Sequence, residues 1–336
     1  MSKSLRNVVP AGHIHIKENV LEKDNVTGVS ESKALWAKGL SLPRKAEYTF
    51  FAACGYQHMK YVEGMMKALK SAGKMGMSMG KVVGLGRAFK KVGVDLSSIT
   101  AKVTASKDDP YTPVLISAVN VLRKLGVDVE YMYEDEPCCG SPTYYAGFES
   151  DYAEHAKRNY QVFKSFGIKN LIGLVPACTS ALRDVYPKYV EGYDLQVQHV
   201  LEVAAKRLKE TGIRPKVKEK LRVTYHDPCQ LSRYLGITDE PRQIIKTIEG
   251  VELMEPDLEQ CGKWSTCCGG GGLEVAHPEL SERLGMRRAE ELLKTGADVI
   301  LSNCPACDLQ LTKIIKKMNA NVAVTDLMRL LDEVLG

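Results

Sequence analysis

The chain has 336 residues, 44% of them apolar, and a formal net charge of +5, so it is long enough for two domains with cores of their own. Its start lacks the apolar stretch of a secretory signal, and no run approaches the roughly 18 apolar residues of a membrane-spanning helix. We therefore expect neither a disulfide-stapled secreted protein nor a membrane-spanning one, but a cytoplasmic protein whose ten cysteines stay reduced.

The first predicted elements are an extension over residues 1–45 and a strand. "GHIHIK", which contains His13 and His15, predicts a mobile arm within the extension. The run "AEYTFFAAC" is rich in aromatic and small residues and predicts a β-strand that ends at Cys54. We take this strand as the start of a first domain over residues 46–212, which a second domain over residues 213–336 follows.

A basic insert over residues 57–107 follows Cys54. It carries ten lysines or arginines against two acids, and six of the twelve methionines of the chain. Such a surface is typical of an adaptable docking site for an acidic partner. A solvated excursion whose methionines form a local core explains the same composition. A nucleic-acid surface is less favoured, because Tyr61 and Phe89 are the only aromatic residues of the insert.

Three further signatures complete the first half of the chain. "EPCCGSP" contains the vicinal pair Cys138 and Cys139, and "GLVPACTSAL" contains Cys178 after a short predicted strand. The run "YDLQVQHVLEVAAKRL" predicts a last strand and helix, and we expect His199 to lie at the N-terminus of that helix.

The second half of the chain repeats these signatures. The vicinal cysteines and the Pro-Ala-Cys recur 129 residues later, in "STCCGGGG" and "SNCPACDLQL". "LRVTYHDPCQLS" likewise repeats the first strand and ends at Cys229 and its neighbours. A constant offset indicates an internal duplication. Under this offset Val175 corresponds to Cys304, so the first copy has one cysteine fewer than the second.

Strands and helices alternate in both copies, which predicts an α/β fold with two parallel sheets and helices on both faces. The cysteines follow the carboxyl ends of the strands, where open α/β sheets bind ligands. We therefore expect one metal site in each copy. The first would use Cys54, Cys138, Cys139 and Cys178, and the second Cys229, Cys267, Cys268, Cys304 and Cys307.

The five cysteines of the second copy favour an iron–sulfur cluster. A structural zinc ion takes four ligands, normally from two chelating pairs. Vicinal cysteines chelate one tetrahedral ion poorly, whereas in a cluster they can reach different irons, and more than four soft thiolates suit iron and sulfide. The glycines after Cys268 would let the backbone approach and offer N–H groups to the sulfurs. A zinc-stabilised scaffold and a flexible loop beside buried cysteines are the alternatives.

The cysteine spacing of the second copy resembles the cysteine-rich CCG domain. A gap of 37 residues separates Cys229 from Cys267-Cys268-Gly269, and a gap of 35 residues separates Cys268 from Cys304. This domain occurs in the B and D subunits of heterodisulfide reductase and in related lactate-utilisation, glycerol-3-phosphate dehydrogenase and sulfite-reduction subunits. The resemblance covers nearly the whole chain as two tandem copies.

The resemblance implies a function and an architecture. The second copy would bind a non-cubane 4Fe–4S cluster that makes or breaks disulfide or persulfide bonds, in an oxidoreductase subunit of a larger complex. Two Rossmann-like CCG domains would face each other across the iron–sulfur site, with a four-cysteine cluster in the first copy as electron relay. A subunit that only passes electrons to a flavin- or quinone-linked dehydrogenase is the alternative.

Three departures from the family pattern bear on partners and cluster type. The ferredoxin-type cysteine motif of the D subunits is absent, so we expect a ferredoxin-like iron–sulfur subunit and a flavoprotein subunit as partners. The substrate would be a disulfide or a sulfur carrier, and contact with a membrane would be peripheral, through the partners.

The other two departures concern the cysteine sites. The first copy lacks the fifth cysteine of the family, and Gln230 stands where family members often have histidine.

Two residues near the second site are open to interpretation. His226 is a candidate catalytic residue, since imidazole titrates near neutral pH and could donate a proton to a thiolate leaving group. A hydrogen-bonded structural histidine is equally compatible with the sequence. Cys261 has no counterpart in the first copy, and we expect it to be a bystander.

Overall fold

The structure is a computed structural model that describes residues 9–29, 34–43, 45–77, 79–91, 99–100, 103 and 109–336. It contains two four-stranded sheets, with the orders β2-β1-β3-β4 and β6-β5-β7-β8, in which all strand pairs are parallel. The α/β prediction is thereby confirmed, and the shared order agrees with an internal duplication. The strands are β1 (Tyr48–Phe51), β2 (Val129–Glu130), β3 (Asn170–Gly173), β4 (Gln196–His199), β5 (Lys216–Tyr225), β6 (Glu249–Leu253), β7 (Val299–Ser302) and β8 (Ala323–Asp326).

Helices connect the strands where apolar residues recur at intervals of three and four. Among the described residues, none of them combines the length and the apolarity that crossing a bilayer requires. The described helices are α1 (Ala11–Lys23), α2 (Ala53–Lys74), α3 (Met79–Lys91), α4 (Thr112–Lys124), α5 (Ser141–Tyr145), α6 (Glu149–Ser165), α7 (Pro176–Ser180), α8 (Val200–Thr211), α9 (Asp239–Thr247), α10 (Leu273–Ala276), α11 (Pro278–Leu293), α12 (Pro305–Lys317) and α13 (Leu327–Leu335).

The last helix of each copy begins in the same way. The ring of His199 accepts a hydrogen bond from the backbone N–H of Leu201 at 3.3 Å, and the Asp326 carboxylate accepts one from Met328 at 2.8 Å. Both side chains satisfy a backbone donor that the helix itself leaves unpaired. The predicted position of His199 at a helix N-terminus is confirmed.

The strand order creates a crevice at the carboxyl edge of each sheet. β1 and β3 are neighbours, but the chain leaves β1 toward β2 on one side and leaves β3 toward β4 on the other. Diverging connections leave space for a ligand at such a point. Cys54 follows β1 and Cys178 follows β3, and in the second sheet Cys229 and Cys304 follow β5 and β7.

The two copies share a continuous hydrophobic core. Phe50 and Phe51 of the first copy and Tyr225 of the second are fully buried in it. A buried hydrogen bond also joins the copies, because the hydroxyl of Tyr56 on α2 donates to the carboxylate of Asp326. The arrangement in which the two cysteine sets face each other across a substrate site stays a prediction.

The N-terminal segment is a packed helix, so the prediction of a mobile arm is wrong. α1 contacts α3 and α5, and Val20 is completely buried beside Cys138. Asp24, where the helix ends, accepts a hydrogen bond from the backbone N–H of Cys138 at 3.0 Å. Near the other end, Nε2 of His13 lies 3.2 Å from the carbonyl oxygen of Gly272. Apolar residues such as Ile16 and Val20, four positions apart, bury one face of the helix. His13 and His15 belong to the same helix.

The basic insert is partly built into the core. Its first part continues α2, on which Met59 and Tyr61 are buried, and this favours the local-core explanation for that methionine. Lys67 on the same helix is exposed and pairs with Glu63 at 2.7 Å. Residues 78, 92–98, 101–102 and 104–107 of the insert lie outside the described residues.

Replacing Tyr56 by phenylalanine tests the contact between the copies. Asp326 would lose a donor while it stays buried, so we expect the free energy of unfolding to fall by about 1–3 kcal/mol. Burial raises the pKa of Asp326 to about 7, and the hydrogen bond from Tyr56 opposes this rise. Without that bond the folded carboxyl should hold its proton more tightly, so the loss of stability should grow as the pH rises through 7.

Chemical denaturation below and above that pH measures both effects. Tyr189→Phe is the matched control, because it removes a hydroxyl that donates to the exposed Glu149 at 2.6 Å. The control should change stability by no more than about 0.5 kcal/mol. Equal losses in the two variants at both pH values would contradict a stabilising role for the Tyr56 contact.

Candidate metal centre

Loops at the carboxyl edge of the second sheet hold the C-terminal cysteine set. Cys229 precedes a π-helical turn over residues 230–234, a local irregularity that is frequent at functional sites. Cys304 is the N-cap residue of α12, and Cys307 lies in its first turn. Pro305 stands between them, at the first helical position, where its fixed φ favours the start of a helix.

The sulfur atoms of this set converge. The Sγ atoms of Cys268 and Cys307 are 3.2 Å apart. The backbone N–H of Gly269 donates to Sγ of Cys267 at 3.3 Å, and that of Gly270 donates to Sγ of Cys268 at 3.4 Å. Cys268 and Cys307 are buried, whereas the other three cysteines of the set are half-buried. The set therefore has a buried side and a side that opens toward solvent.

The crowded thiols share their protons unevenly. Hydrogen bonds from Cys229 and then from Cys268 lower the pKa of Cys267 to about 2. The hydrogen bond from Cys307 lowers the pKa of Cys304, whereas the pKa of Cys229 is raised by its hydrogen bond to Cys267. Some of the sulfurs thus favour the thiolate form and others keep a proton. Metals bind such a set with release of the remaining protons, since only thiolates are good ligands.

A buried histidine lies beside these sulfurs. A ring nitrogen of His226 is within 4.8 Å of the Sγ atoms of Cys268 and Cys307. Its Nδ1 accepts a hydrogen bond from Nε of Arg288 at 3.0 Å. Burial, and then the charge of Arg288, lower the pKa of His226 well below its ordinary value, so the ring is neutral at neutral pH. This disfavours an imidazolium as proton donor, and the catalytic role of His226 stays a prediction.

The N-terminal cysteine set is wholly buried. The Sγ atoms of Cys54 and Cys138 are 3.8 Å apart, and those of Cys139 and Cys178 are 2.9 Å apart. The side chains of Cys138 and Cys139 are also hydrogen-bonded to each other. A hydrogen bond from Cys139 lowers the pKa of Cys178, but burial and the negative charges of Cys54, Cys138 and Glu136 together raise it to about 11. The structure thus brings all four predicted cysteines together.

Val175 lies at the edge of the N-terminal set. It is the N-cap residue of α7 with an extended backbone, as Cys304 is for α12. A Cβ atom on Gly55, the residue after Cys54, would lie 3.0 Å from a methyl group of Val175. The two positions are equivalent in the structure, but the first offers methyl groups where the second offers a sulfur.

Two charged residues that support the sites are not recognisable from the cysteine spacing. The Glu136 carboxylate accepts hydrogen bonds from the backbone N–H groups of Ala52 and Ala53 at 2.7 and 2.9 Å, next to Cys54. Arg288 is fully buried on α11, and its counterpart in the duplication, Asn159 on α6, is buried as well. In both copies this position places a polar residue on the apolar face of its helix, and that repeated pattern is the sequence signal for Arg288.

Comparison with known proteins identifies the family. Residues 103–183 and 223–312 match the model of the CCG cysteine-rich domain, and together they make up a little more than half of the chain. The chain belongs to the CCG cysteine-rich domain family. Each matched segment contains the vicinal cysteines and the Pro-Ala-Cys of its copy, and the match to the first copy begins after Cys54.

Several oxidoreductases are similar to this CCG protein over about two thirds of its length. The B subunit of fumarate reductase (CoM/CoB) from Methanothermobacter marburgensis is 33% identical, over 65% of this chain and 42% of the relative. The D subunit of dihydromethanophenazine:CoB–CoM heterodisulfide reductase from Methanosarcina mazei is 32% identical, over 66% and 54%. EtfAB:quinone oxidoreductase of Syntrophomonas wolfei is 30% identical, over 66% and 31%. The chain therefore spans about half, or less, of the length of these relatives.

An alanine at Gly270 should impair the C-terminal site more than one at Gly271. A Cβ atom on Gly270 would lie 2.7 Å from the carbonyl oxygen of Ala306, so the loop would have to move away from α12. Gly271 has a φ of +77° but no heavy atom within 4 Å of an added Cβ, so its replacement costs mainly backbone strain of about 1–2 kcal/mol.

Iron content and melting temperature, measured side by side, check this expectation. Gly270→Ala should bind less iron than the wild type, because the C-terminal cysteine set is disturbed, and Gly271→Ala should bind nearly as much as the wild type. Wild-type iron content together with a wild-type melting temperature in Gly270→Ala would contradict a close approach of loop and helix.

Proposed function

We propose that the protein is an iron–sulfur subunit of a heterodisulfide-reductase-like oxidoreductase, and that its C-terminal copy makes or breaks disulfide or persulfide bonds. The observation that carries this proposal is the convergence of five cysteines at the crevice of the second sheet, with two sulfurs 3.2 Å apart. Similarity to one chain of a heterodisulfide reductase and to other oxidoreductases supports it.

The donor set fits a non-cubane 4Fe–4S cluster better than a single zinc ion. Five soft thiolates exceed the four ligands of structural zinc. The N–H groups of Gly269 and Gly270, which point at cysteine sulfurs, are of the kind that tune iron–sulfur clusters. The proposed ligands of this cluster are Cys229, Cys267, Cys268, Cys304 and Cys307.

The half-buried cysteines suggest where substrate would approach. Cys229, Cys267 and Cys304 are half-buried residues whereas Cys268 and Cys307 are buried, so we place the approach of a disulfide or a sulfur carrier on the side of the first three. The bound cluster would exchange electrons with the substrate sulfur. Reduction of a disulfide takes up two electrons and two protons and yields two thiols, and oxidation returns them.

We propose that the N-terminal set binds a second cluster, which relays electrons. Its four cysteines are buried, which suits electron transfer without substrate contact. The two sets are held by elements that touch: a Cβ atom on Gly55 would lie 3.1 Å from Pro305, and α7 contacts the turn after Cys229. The proposed ligands of this cluster are Cys54, Cys138, Cys139 and Cys178.

Electrons would reach the relay from partner subunits. We propose a ferredoxin-like iron–sulfur subunit and a flavoprotein subunit, because the cysteines of this chain are accounted for by two clusters and the lone Cys261. The exposed Lys67 and Lys70 on α2 provide a basic surface that an acidic partner could use.

Replacing Cys304 by serine tests the C-terminal site. Serine oxygen is a harder and weaker ligand for iron than thiolate, so the variant should lose the five-cysteine cluster but keep the N-terminal one. Activity on disulfides should fall by more than the roughly 10–100-fold that loss of an outer-shell partner costs. Iron and sulfide analysis, EPR spectra and disulfide reduction with a chemical electron donor measure these effects.

Cys261→Ser is the matched control, because Cys261 is also half-buried in the second copy but lies outside the proposed ligand set. It should keep both clusters. Unchanged iron content and activity in Cys304→Ser would remove Cys304 from the ligand set and end the non-cubane assignment. A wild type with both clusters and no activity on any disulfide would favour the electron-transfer alternative.

Replacing Val175 by cysteine tests whether this position decides the type of cluster. The new thiol would occupy the position that Cys304 has in the second copy, within reach of the N-terminal set. We expect the EPR spectrum or the iron content of the N-terminal cluster to change, while Val175→Ala leaves both as they are. An unchanged EPR spectrum in Val175→Cys, with the N-terminal cluster present, would contradict the hypothesis that this position decides the type of cluster.

A further inference from the structure

A buried chain of three polar residues distinguishes the C-terminal site from the N-terminal one. It consists of His226, Arg288 and Glu291, whose exposed fractions are 1%, 0% and 5%. Nε of Arg288 donates to Nδ1 of His226 at 3.0 Å, and its Nη1 donates to the Glu291 carboxylate at 3.0 Å. Nη1 also donates to the carbonyl oxygen of Gln260 at 2.7 Å. Both the position and the rotation of the guanidinium are therefore fixed.

This chain determines which nitrogen of His226 carries the proton. A guanidinium is a donor without acceptor capacity, so the nitrogen that faces it must present a lone pair. The proton of the neutral ring then resides on Nε2. In the described part of the chain, Nε2 of His226 is buried and has no hydrogen-bond partner. Since Nδ1 is occupied by Arg288, Nε2 is the nitrogen left for the nearby sulfurs of Cys268 and Cys307.

The other copy has a different chain: Nη2 of Arg158 lies 2.9 Å from Nδ1 of the buried His155, and Nε2 of that ring lies 2.7 Å from the carbonyl oxygen of Cys138, so the ring binds the backbone and is not left for a sulfur. The position of His226 is taken by Phe51, which is fully buried and packs edge-on against Phe163 with ring centroids 6.0 Å apart. The positions of Arg288 and Glu291 are taken by Asn159 and Val162. Nδ2 of Asn159 donates to the carbonyl oxygen of Cys138 at 2.7 Å and lies 3.0 Å from Nε2 of His155, so it belongs to the group that holds this backbone carbonyl.

We propose that Arg288 holds His226 as an N–H donor to a sulfur of the C-terminal cluster, and that this bond makes the C-terminal cluster easier to reduce than the N-terminal one. The inference rests on the proposed function in one respect, namely that the cysteines of the second copy bind an iron–sulfur cluster. Hydrogen bonds to cluster sulfurs stabilise the more negative, reduced state. His226 is then not an iron ligand, because the nitrogen that Arg288 leaves free carries a proton. Electrons would pass from the N-terminal relay to the C-terminal site.

Pulsed EPR of the wild-type protein with ¹⁵N-labelled histidine tests the donor assignment without any substitution. We expect a weak nitrogen coupling in the C-terminal cluster, together with a proton coupling that disappears in D₂O. A strong coupling, as for nitrogen bonded to iron, would overturn the proposal, and so would the absence of any nitrogen coupling. Absence of a cluster signal altogether would instead contradict the proposed function.

A redox titration of three variants tests the effect on the cluster. In His226→Phe, which copies the first site, the ratio of reduced to oxidised C-terminal cluster at a fixed potential should fall about tenfold, or about 59 mV for a one-electron couple. His226→Gln can still offer an N–H and an acceptor for Arg288, so it should recover part of the shift. Arg288→Gln removes the charge and shortens the side chain that donates to Nδ1, so it weakens the control of the ring's proton and should shift the ratio in the same direction as His226→Phe, by a smaller amount.

Arg287→Gln is the control for the arginine variant, because the exposed Arg287 binds the same Glu291 at 3.2 Å from the solvent side. It should leave the potential of the C-terminal cluster unchanged, and all variants should leave that of the N-terminal cluster unchanged. A C-terminal potential that stays the same in His226→Phe and Arg288→Gln, with iron content intact, would overturn the proposal. If His226→Phe loses its iron, the test uses the C-terminal reduction potentials of the other three variants. A potential that is equal in His226→Gln, Arg288→Gln and Arg287→Gln would overturn the proposal.

Discussion

Both cysteine sites depend on one topological constraint, which is the opposite direction of the connections that leave the two central strands of each sheet. Parallel strands end at the same edge, so the residues after β1 and β3 must meet there, and the diverging connections keep the space between them open. The same holds for β5 and β7. In each set the first and last cysteines follow these central strands. The vicinal pair lies on the loop that follows the edge strand, which is β2 in the first sheet and β6 in the second.

The duplication supplies this scaffold twice, and a few substitutions give the two sites different environments. In the first copy, Val175 and Phe51 stand where the second copy has Cys304 and His226, and burial of their apolar surface stabilises the site. In the second copy, a histidine, an arginine and a glutamate take corresponding places. Such groups are tolerated in a core when hydrogen bonds satisfy most of their polar atoms, and these three form one connected chain in which, among the described residues, only Nε2 of His226 and Nη2 of Arg288 lack a partner.

The wrong expectation for α1 and the open one for the insert have a common physical cause. Polar and charged residues are frequent in α1 and α2, and from the sequence they favour solvated segments. Each helix nevertheless buries a narrow face, as Val20 and Met59 show. Burial of that face depends on surfaces that other parts of the chain provide: the cysteine loop for α1, and the shared core for α2. Local composition contains no information on such distant partners.

The sequence by itself determined the duplication, the α/β class, the helix N-terminal role of His199 and the membership of the cysteines in two sets. These features follow from local periodicity and from spacing, which act over a few residues or repeat at a fixed offset. Only the tertiary structure decided that Tyr56 binds Asp326, that α1 covers Cys138 and that Arg288 fixes the ring of His226. Those contacts join residues 62 to 270 positions apart, and their partners are selected by packing in three dimensions, which the order of residues along the chain does not reveal.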